Sequence, residues 1–296
     1  MTNKRWTIEE LLVATTDFLR KKQIDSPRLS AEILLAHQLN MDRVKLYLNF
    51  NQPLSEREVS GYRSLIKRRL KREPLHYIIG FREFWSLEFI VGPQVMVPRP
   101  ESELLVELVL SLCKVGRLPE TRCSRILDLC TGSGVLCISL ARELDNALFW
   151  ASDISDEALN IARLNAKRHG MENRIEFRLG DLFQPFNNEK LMFDIILSNP
   201  PYIASGALET LPPEVRDYEP RGALDGGEEG IFFIKKIITE GKDYLIPGGY
   251  LFLEMDPDQT AKALRLIDEN PDYERVERFK DYSQNYRVVM AQKREG

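Results

Sequence analysis

The chain from Arg125 onward predicts a doubly wound α/β domain with a mainly parallel sheet, and the residues before it predict a small helical bundle. Three observations carry this expectation. Short apolar runs at 125–129, 148–152, 175–179 and 193–197 alternate with stretches whose apolar residues fall at helical spacing. The run at Phe193, Ile195, Ile196 and Leu197 is apolar on both faces, as in a strand covered from both sides. From about Thr7 to about Arg72 the apolar period is helical throughout.

In the N-terminal stretch, Leu11, Leu12, Thr15, Phe18 and Leu19 form one helical set. Leu29, Ile33, Leu34 and Leu35 form a second after Ser26-Pro27, a cap followed by proline in the first turn. Val59, Tyr62, Leu65, Ile66 and Leu70 follow Ser55-Glu56-Arg57-Glu58, which has capping-box spacing. Residues 1–75 are therefore expected to be a bundle that docks or orients a partner. Over 76–98 the period becomes two, with Phe84, Leu87, Phe89 and Val91 interrupted by Ser86 and by Gly92-Pro93, as in a β-hairpin linking two domains. The main domain is then expected over 99–296. It opens with PRPESE and a helix carrying Leu104, Leu105, Leu108, Val109 and Leu112. A later strand at 250–253 follows Pro247-Gly248-Gly249, and a last one is expected at 287–291.

Composition narrows the class. The 296 residues are 43% hydrophobic and 29% charged, as in an ordinary globular protein with room for two domains. No apolar run approaches a membrane span, and MTNKRWTIEELL places charges where a signal peptide needs apolar residues, so a cytoplasmic location is expected. Cys113, Cys123, Cys130 and Cys137 form no CxxC pair, and His37, His76 and His169 are scattered, so no metal is expected and the cysteines read as reduced, mostly buried thiols. Residues 1–75 hold 15 Lys and Arg against 9 Asp and Glu, whereas the rest is acidic. The densest basic run, Lys67 to Arg72, reads as a solvated helix face, with transient ribosome or RNA contact as its alternative use.

Ligands of doubly wound sheets bind beyond the C-terminal strand ends. Thr131, Gly132, Ser133 and Gly134 follow the first strand, Asp153 the second, Asp181 the third and Asn199 the fourth, which puts these candidates on one rim. Glycines let a backbone approach a ligand closely, and an acid at Asp153 can bond both ribose hydroxyls. The loop is not GxGxxG, because Cys130 takes the first place and the later spacing differs; this argues against a dinucleotide oxidoreductase. Asn199-Pro200-Pro201-Tyr202 supplies a different chemistry. Neither proline has an N–H, so the Asn199 side-chain oxygen and the Pro200 carbonyl remain as acceptors on a stiff turn. They match the two donors of a planar NH2 group, with the Tyr202 ring against its face.

Together these features resemble the class I S-adenosylmethionine-dependent methyltransferases, and most closely the PrmC (HemK-type) family of release-factor glutamine N5-methyltransferases. The resemblance runs through DSPRLSAEILL, EPLHYIIGFREFWSLEF, PRPESE, ILDLCTGSG, DISDEAL, FDIILSNPPYI, YEPRGALDGGEEG and PGGYLFLE. It implies a Rossmann-like catalytic domain behind an N-terminal bundle and hairpin, with S-adenosyl-L-methionine as cofactor and S-adenosyl-L-homocysteine as product. Cofactor contacts would fall to Cys130, Thr131, Gly132, Ser133, Gly134, Asp153 at the ribose, Asp181 or Leu182 at the adenine, and Asn199. Glutamine recognition would fall to Asn199, Pro200, Pro201 and Tyr202, and catalysis to Asn199, Pro200 and Tyr202. The implied partner is a class I peptide chain release factor, methylated in its Gly-Gly-Gln loop for translation termination. Two departures stand out: Cys130 replaces a common glycine, and Asp256 stands where a Gly-containing turn is usual. The alternatives are a ribosomal-protein glutamine methyltransferase, a nucleic-acid adenine N6-methyltransferase, and a non-catalytic binder of a release factor or the ribosome. On this reading Asn199→Asp should do less damage than Asn199→Ala, because an acceptor survives.

Overall fold

The computed structural model describes residues 5–114 and 124–295. The N-terminal helices are α1 (Ile8–Lys21), α2 (Pro27–Leu39), α3 (Arg43–Leu48), α4 (Glu56–Leu70) and α5 (Leu75–Ile79). Then come β1 (Phe81–Phe84), β2 (Leu87–Ile90), α6 (Glu103–Lys114), β3 (Arg125–Leu129), α7 (Val135–Glu143), β4 (Leu148–Asp153), α8 (Asp156–Arg168), β5 (Ile175–Leu179) and β6 (Phe193–Ser198). The chain ends with α9 (Pro213–Arg216), α10 (Phe232–Gly241), β7 (Leu245–Glu254), α11 (Thr260–Asp268), β8 (Tyr273–Lys280) and β9 (Tyr286–Lys293).

Two compact units result, Met1–Gly80 with Pro212–Tyr218, and Phe81–Leu211 with Glu219–Gly296. In the first, α1 and α4 begin with reciprocal capping boxes, Thr7 with Glu10 and Ser55 with Glu58. Ser26 precedes α2 in a left-handed conformation and its side chain makes no cap bond, contrary to the expected Ser-Pro cap. Leu11, Leu12, Leu19, Leu34, Leu35, Tyr62 and Ile66 form the core, while Phe18 and Leu29, expected on the same faces, are exposed. The buried carboxylate of Glu32 accepts from Arg28, Arg43 and Tyr47, which ties in the unexpected helix α3. The basic run is not a uniformly solvated face. Arg68 pairs with Glu73, and Arg69, only 5% exposed, joins Arg72 in bonding Glu214 Oε1 at 3.1 and 3.3 Å. The Tyr218 hydroxyl donates to the Lys71 carbonyl at 2.6 Å. Pro212–Tyr218 belongs to this unit because its acid answers the charge of α4.

In the second unit seven strands run in the order β5-β4-β3-β6-β7-β9-β8. The first five are parallel, and β9 pairs antiparallel with both β7 and β8. Every residue of β6 is buried, including Asp194, whose Oδ2 accepts from the Arg125 N–H at 2.8 Å. Strand β8 is an element that sequence periodicity misses: Tyr273 is its one fully buried residue, so its pattern carries little apolar signal. β7 begins at Leu245, so Pro247-Gly248-Gly249 lies inside the strand, where its pairing with β6 is irregular. The hairpin turns at Trp85-Ser86, both with positive φ (51° and 56°), as a two-residue turn demands. Gly92-Pro93 lies beyond it. Phe84 and Phe89 are buried in the core shared with α6 and α7, so the division of the chain falls after Gly80 and not within an independent linker. Cys137 is buried, Cys113 and Cys130 are half-buried free thiols, and Cys123 lies outside the described residues. Among the described residues no helix is long and apolar enough to cross a membrane.

Candidate active site

The sheet order reverses between β3 and β6, and a cavity of about 420 Å³ opens beyond the strand ends at that point. Its wall includes Cys130, Thr131, Gly132, Ser133, Asp153, Asp181, Leu182 and Asn199. Residues from four strand ends are thus brought together. Gly134 is not in the wall. It starts α7 with φ 82°, and a Cβ there would lie 2.8 Å from Ile138 and 3.2 Å from Ala162, so its role is to let α7 and α8 approach.

The loop after β3 is pinned from beneath. The buried Asp128 Oδ2 accepts from the Thr131 hydroxyl at 2.7 Å and from the Cys137 N–H at 3.3 Å, while Oδ1 has no partner. Burial pushes this carboxyl up to about 7, against the Thr131 and Cys137 bonds. Asp153 Oδ2 accepts from Gly132 N–H and Oδ1 from Ser155 N–H, both at 2.9 Å, so the acid fixes the loop while standing in the cavity wall. Burial raises its pKa, and those N–H groups oppose the rise. Cys130 has φ 58°, which explains why glycine suits its place: the backbone is left-handed there. Asn165, buried in α8, donates to the Ser133 carbonyl at 2.9 Å and exchanges bonds with the backbone of Ile90, locking the loop to the hairpin. Asp181 Oδ2 accepts from Lys236 at 2.6 Å. The neighbouring Leu182 is buried, with its carbonyl held by the Ser152 hydroxyl.

At the end of β6 the Asn199 amide spends both hydrogens inside the protein. Nδ2 donates to Ser102 Oγ and to Glu254 Oε1, each at 3.0 Å. With both of its hydrogens taken by Ser102 and Glu254, Asn199 keeps Oδ1 as an acceptor, and the residue lines the cavity. Glu254 is 1% exposed, and burial pushes it up to about 7; Ser102, Arg287 and Arg99 oppose the rise, and Glu101 adds to it. Pro201 lines the cavity; Pro200 and Tyr202 are not among its lining residues, and the Tyr202 side chain packs on the core beside β6 and β7.

The turn is braced by two distant segments. Ile203 pairs with Asp225, so that Gly226 N–H reaches the Ile203 carbonyl at 2.7 Å. A Cβ on Gly226 would meet the Tyr202 Cα at 2.7 Å and the Pro201 carbonyl at 2.8 Å. Gln259 Nε2 donates to the Tyr202 carbonyl at 2.7 Å and the Gly230 carbonyl at 3.0 Å. Asp256 is extended, with φ −62° and ψ 143°, and its side chain caps the turn that carries Gln259, so an aspartate is accommodated where glycine is usual. Arg99 of PRPESE donates to Glu219 of YEPRGALDGG at 2.6 Å, which joins these two motifs.

The residues fit an adenosyl cofactor. Gly132 is in the wall with φ 56°, and the place a Cβ would occupy is open, so the backbone itself forms the cradle. Sequence reading overlooked Ser102, Glu254, Asp128, Asn165 and Lys236. Ser102 and Glu254 sit in PRPESE and PGGYLFLE, but nothing local says that they meet Asn199.

The family models PrmC N-terminal domain and Methyltransferase small domain match residues 10–80 and 111–211. The release factor glutamine methyltransferase of Geobacter sulfurreducens is 42% identical over 262 residues, 88% of each chain. That of Rhodopirellula baltica is 38% identical over 288 residues, 97% of each chain. Among solved structures, the hMettl16 catalytic domain in complex with MAT2A 3′UTR hairpin 6 has a TM-score of 0.57 at 16% identity, covering 76% of this chain and 81% of that one. The T. thermophilus 16S rRNA N2 G1207 methyltransferase (RsmC) in complex with AdoMet and guanosine has a TM-score of 0.51 at 21% identity, covering 72% and 50%. These structures show the class I, Rossmann-like methyltransferase fold. At this level of identity over nearly the whole chain, the protein belongs to the release factor glutamine methyltransferase family.

Proposed function

We propose that the protein transfers a methyl group from S-adenosyl-L-methionine to the side-chain nitrogen of the glutamine in the Gly-Gly-Gln motif of a class I peptide chain release factor, in the cytoplasm. The observation that carries this is the Asn199 carboxamide, whose NH2 is spent on Ser102 and Glu254 and whose Oδ1 remains an acceptor at the cavity. The relatives' names support the substrate class.

S-adenosyl-L-methionine, when bound, would supply an electrophilic sulfonium methyl group, with S-adenosyl-L-homocysteine as the product. Asp153 holds the ribose hydroxyls, the loop from Cys130 to Ser133 carries the rest of the nucleoside, and Asp181 and Leu182 bound the adenine end. The Asn199 Oδ1 and the Pro200 carbonyl accept the two N–H bonds of the glutamine amide. An amide nitrogen is a poor nucleophile because its lone pair is delocalised. Accepting its hydrogens returns density to nitrogen and aims it at the methyl group. Positioning supplies roughly 7–11 kcal/mol in well-oriented cases, and the fixed acceptors about a few more. No residue need act as base before transfer, since the nitrogen becomes acidic as the new bond forms and water takes the proton.

The test is methyl transfer from labelled S-adenosyl-L-methionine to a purified release factor, beside its Gly-Gly-Ala variant, ribosomal proteins and adenine-containing RNA. Label on the intact factor that is lost in the variant supports the reading. Label on a ribosomal protein or on RNA, with none on the factor, overturns it.

A further inference from the structure

Asn199 can offer a substrate amide either its oxygen or its NH2, and only the oxygen matches a group that donates. The choice is not made by the NPPY turn, because a half-turn of the carboxamide costs little by itself. It is made by what lies behind. Ser102 stands in the turn that opens α6, and Glu254 is the last residue of β7, the strand that pairs with β6. Each takes one Nδ2 hydrogen at 3.0 Å. Glu254 is 1% exposed, and its second oxygen is buried without a partner, an arrangement with an energetic cost that better packing would remove. Arg287 and Arg99 supply the compensating positive charge, Glu101 opposes them, and the Tyr202 phenol lies within its field.

We infer that Glu254 is a positioning residue for methyl transfer: together with Ser102 it holds the Asn199 NH2 turned away from the cavity, and so presents Oδ1 to the incoming amide. This rests on the glutamine reading above. A consequence is that Asn199→Asp costs more than the survival of an acceptor alone suggests. The aspartate would bring a carboxylate against Glu254, where the wild type has a donor, and would not hold its free oxygen in place.

The experiment is single-turnover transfer by the full chain to a purified release factor, with cofactor concentration varied so that the plateau rate and half-saturation are read separately. Glu254→Gln and Asn199→Asp should each lower the plateau rate by about 10- to 100-fold, with half-saturation unchanged. In the double variant Asn199→Asp/Glu254→Gln the donor and acceptor are exchanged, and the rate should recover about tenfold over the poorer single variant. Ser102→Ala, which leaves Glu254 in place, should lose about 3- to 10-fold. A residue that only supported the fold would show no such reciprocity. A Glu254→Gln enzyme at the wild-type rate overturns the inference, as does a double variant no faster than the poorer single one. If Glu254→Gln does not fold, the double variant and Ser102→Ala carry the same test. Wild-type enzyme that leaves the factor's glutamine unmethylated instead overturns the glutamine reading on which the inference rests.

Discussion

At the nucleoside end of the cavity the decisive contacts are short in sequence: Thr131 to Asp128, Ser155 to Asp153, and Gly132 to Asp153 across 21 residues. At the acceptor end, Asn199 meets Ser102 and Glu254 across 97 and 55 residues, and Gly226 and Gln259 arrive from two further segments to brace its turn. The nucleoside end is a βα turn whose backbone would do the binding on the proposed reading, so a few local residues define it. The acceptor end is a side-chain network, and its geometry exists only once the sheet has assembled. Damage to the first should therefore appear as lost cofactor affinity, and damage to the second as lost rate.

The largest effect should come from the acceptor end. Asn199→Ala should lower kcat by about a hundredfold or more while cofactor binding, followed by calorimetry, is retained. At the nucleoside end, Asp153→Ala removes an acid that also fixes Gly132 and Ser155, and cofactor affinity should fall by about 1.5–3 kcal/mol, roughly 10- to 150-fold in Kd. Gly226→Ala sharpens the comparison, because it touches no ligand. Its Cβ would press on the Tyr202 and Pro201 backbone, so we expect about tenfold lower kcat and about 1–3 kcal/mol lower stability in urea, with Kd for the cofactor unchanged.

Asp128 gives the comparison a pH axis. Its folded-state pKa, about 7, lies above the ordinary value of 3.8, so the folded protein binds the proton more tightly than the unfolded chain. The stability it contributes is full below about pH 4 and is lost as pH rises through about 7. Wild type should therefore lose on the order of 1–3 kcal/mol relative to Asp128→Asn between those limits, measured by urea unfolding across the range. The smallest effect is expected for Cys130→Gly. Relief of a left-handed φ of 58° is worth about 1 kcal/mol, and cofactor affinity should stay within about threefold of wild type.

The same contrast explains what the sequence made legible. Alternating periods located β3, β4, β5 and β6, and the rule that ligands sit beyond strand ends placed Cys130 to Ser133, Asp153, Asp181 and Asn199 on one cavity wall. The NPPY turn showed an acceptor but not its orientation, because Ser102 and Glu254 look like ordinary first-turn and strand-end residues until β7 lies beside β6. Strand β8 escaped for a similar reason: on an edge, its charged alternation needs little apolar content. The basic run of α4 looked solvated because Glu214, the acid that pairs with Arg69 and Arg72, stands more than a hundred residues later in the chain.

The most direct test of this two-ended account is a cofactor titration of single-turnover transfer to the release factor, run on Asn199→Ala and Asp153→Ala side by side. The account predicts a crossed result: Asn199→Ala keeps its half-saturation and loses its plateau rate, whereas Asp153→Ala shifts its half-saturation and approaches the wild-type plateau. Parallel losses of both quantities in both variants would contradict it.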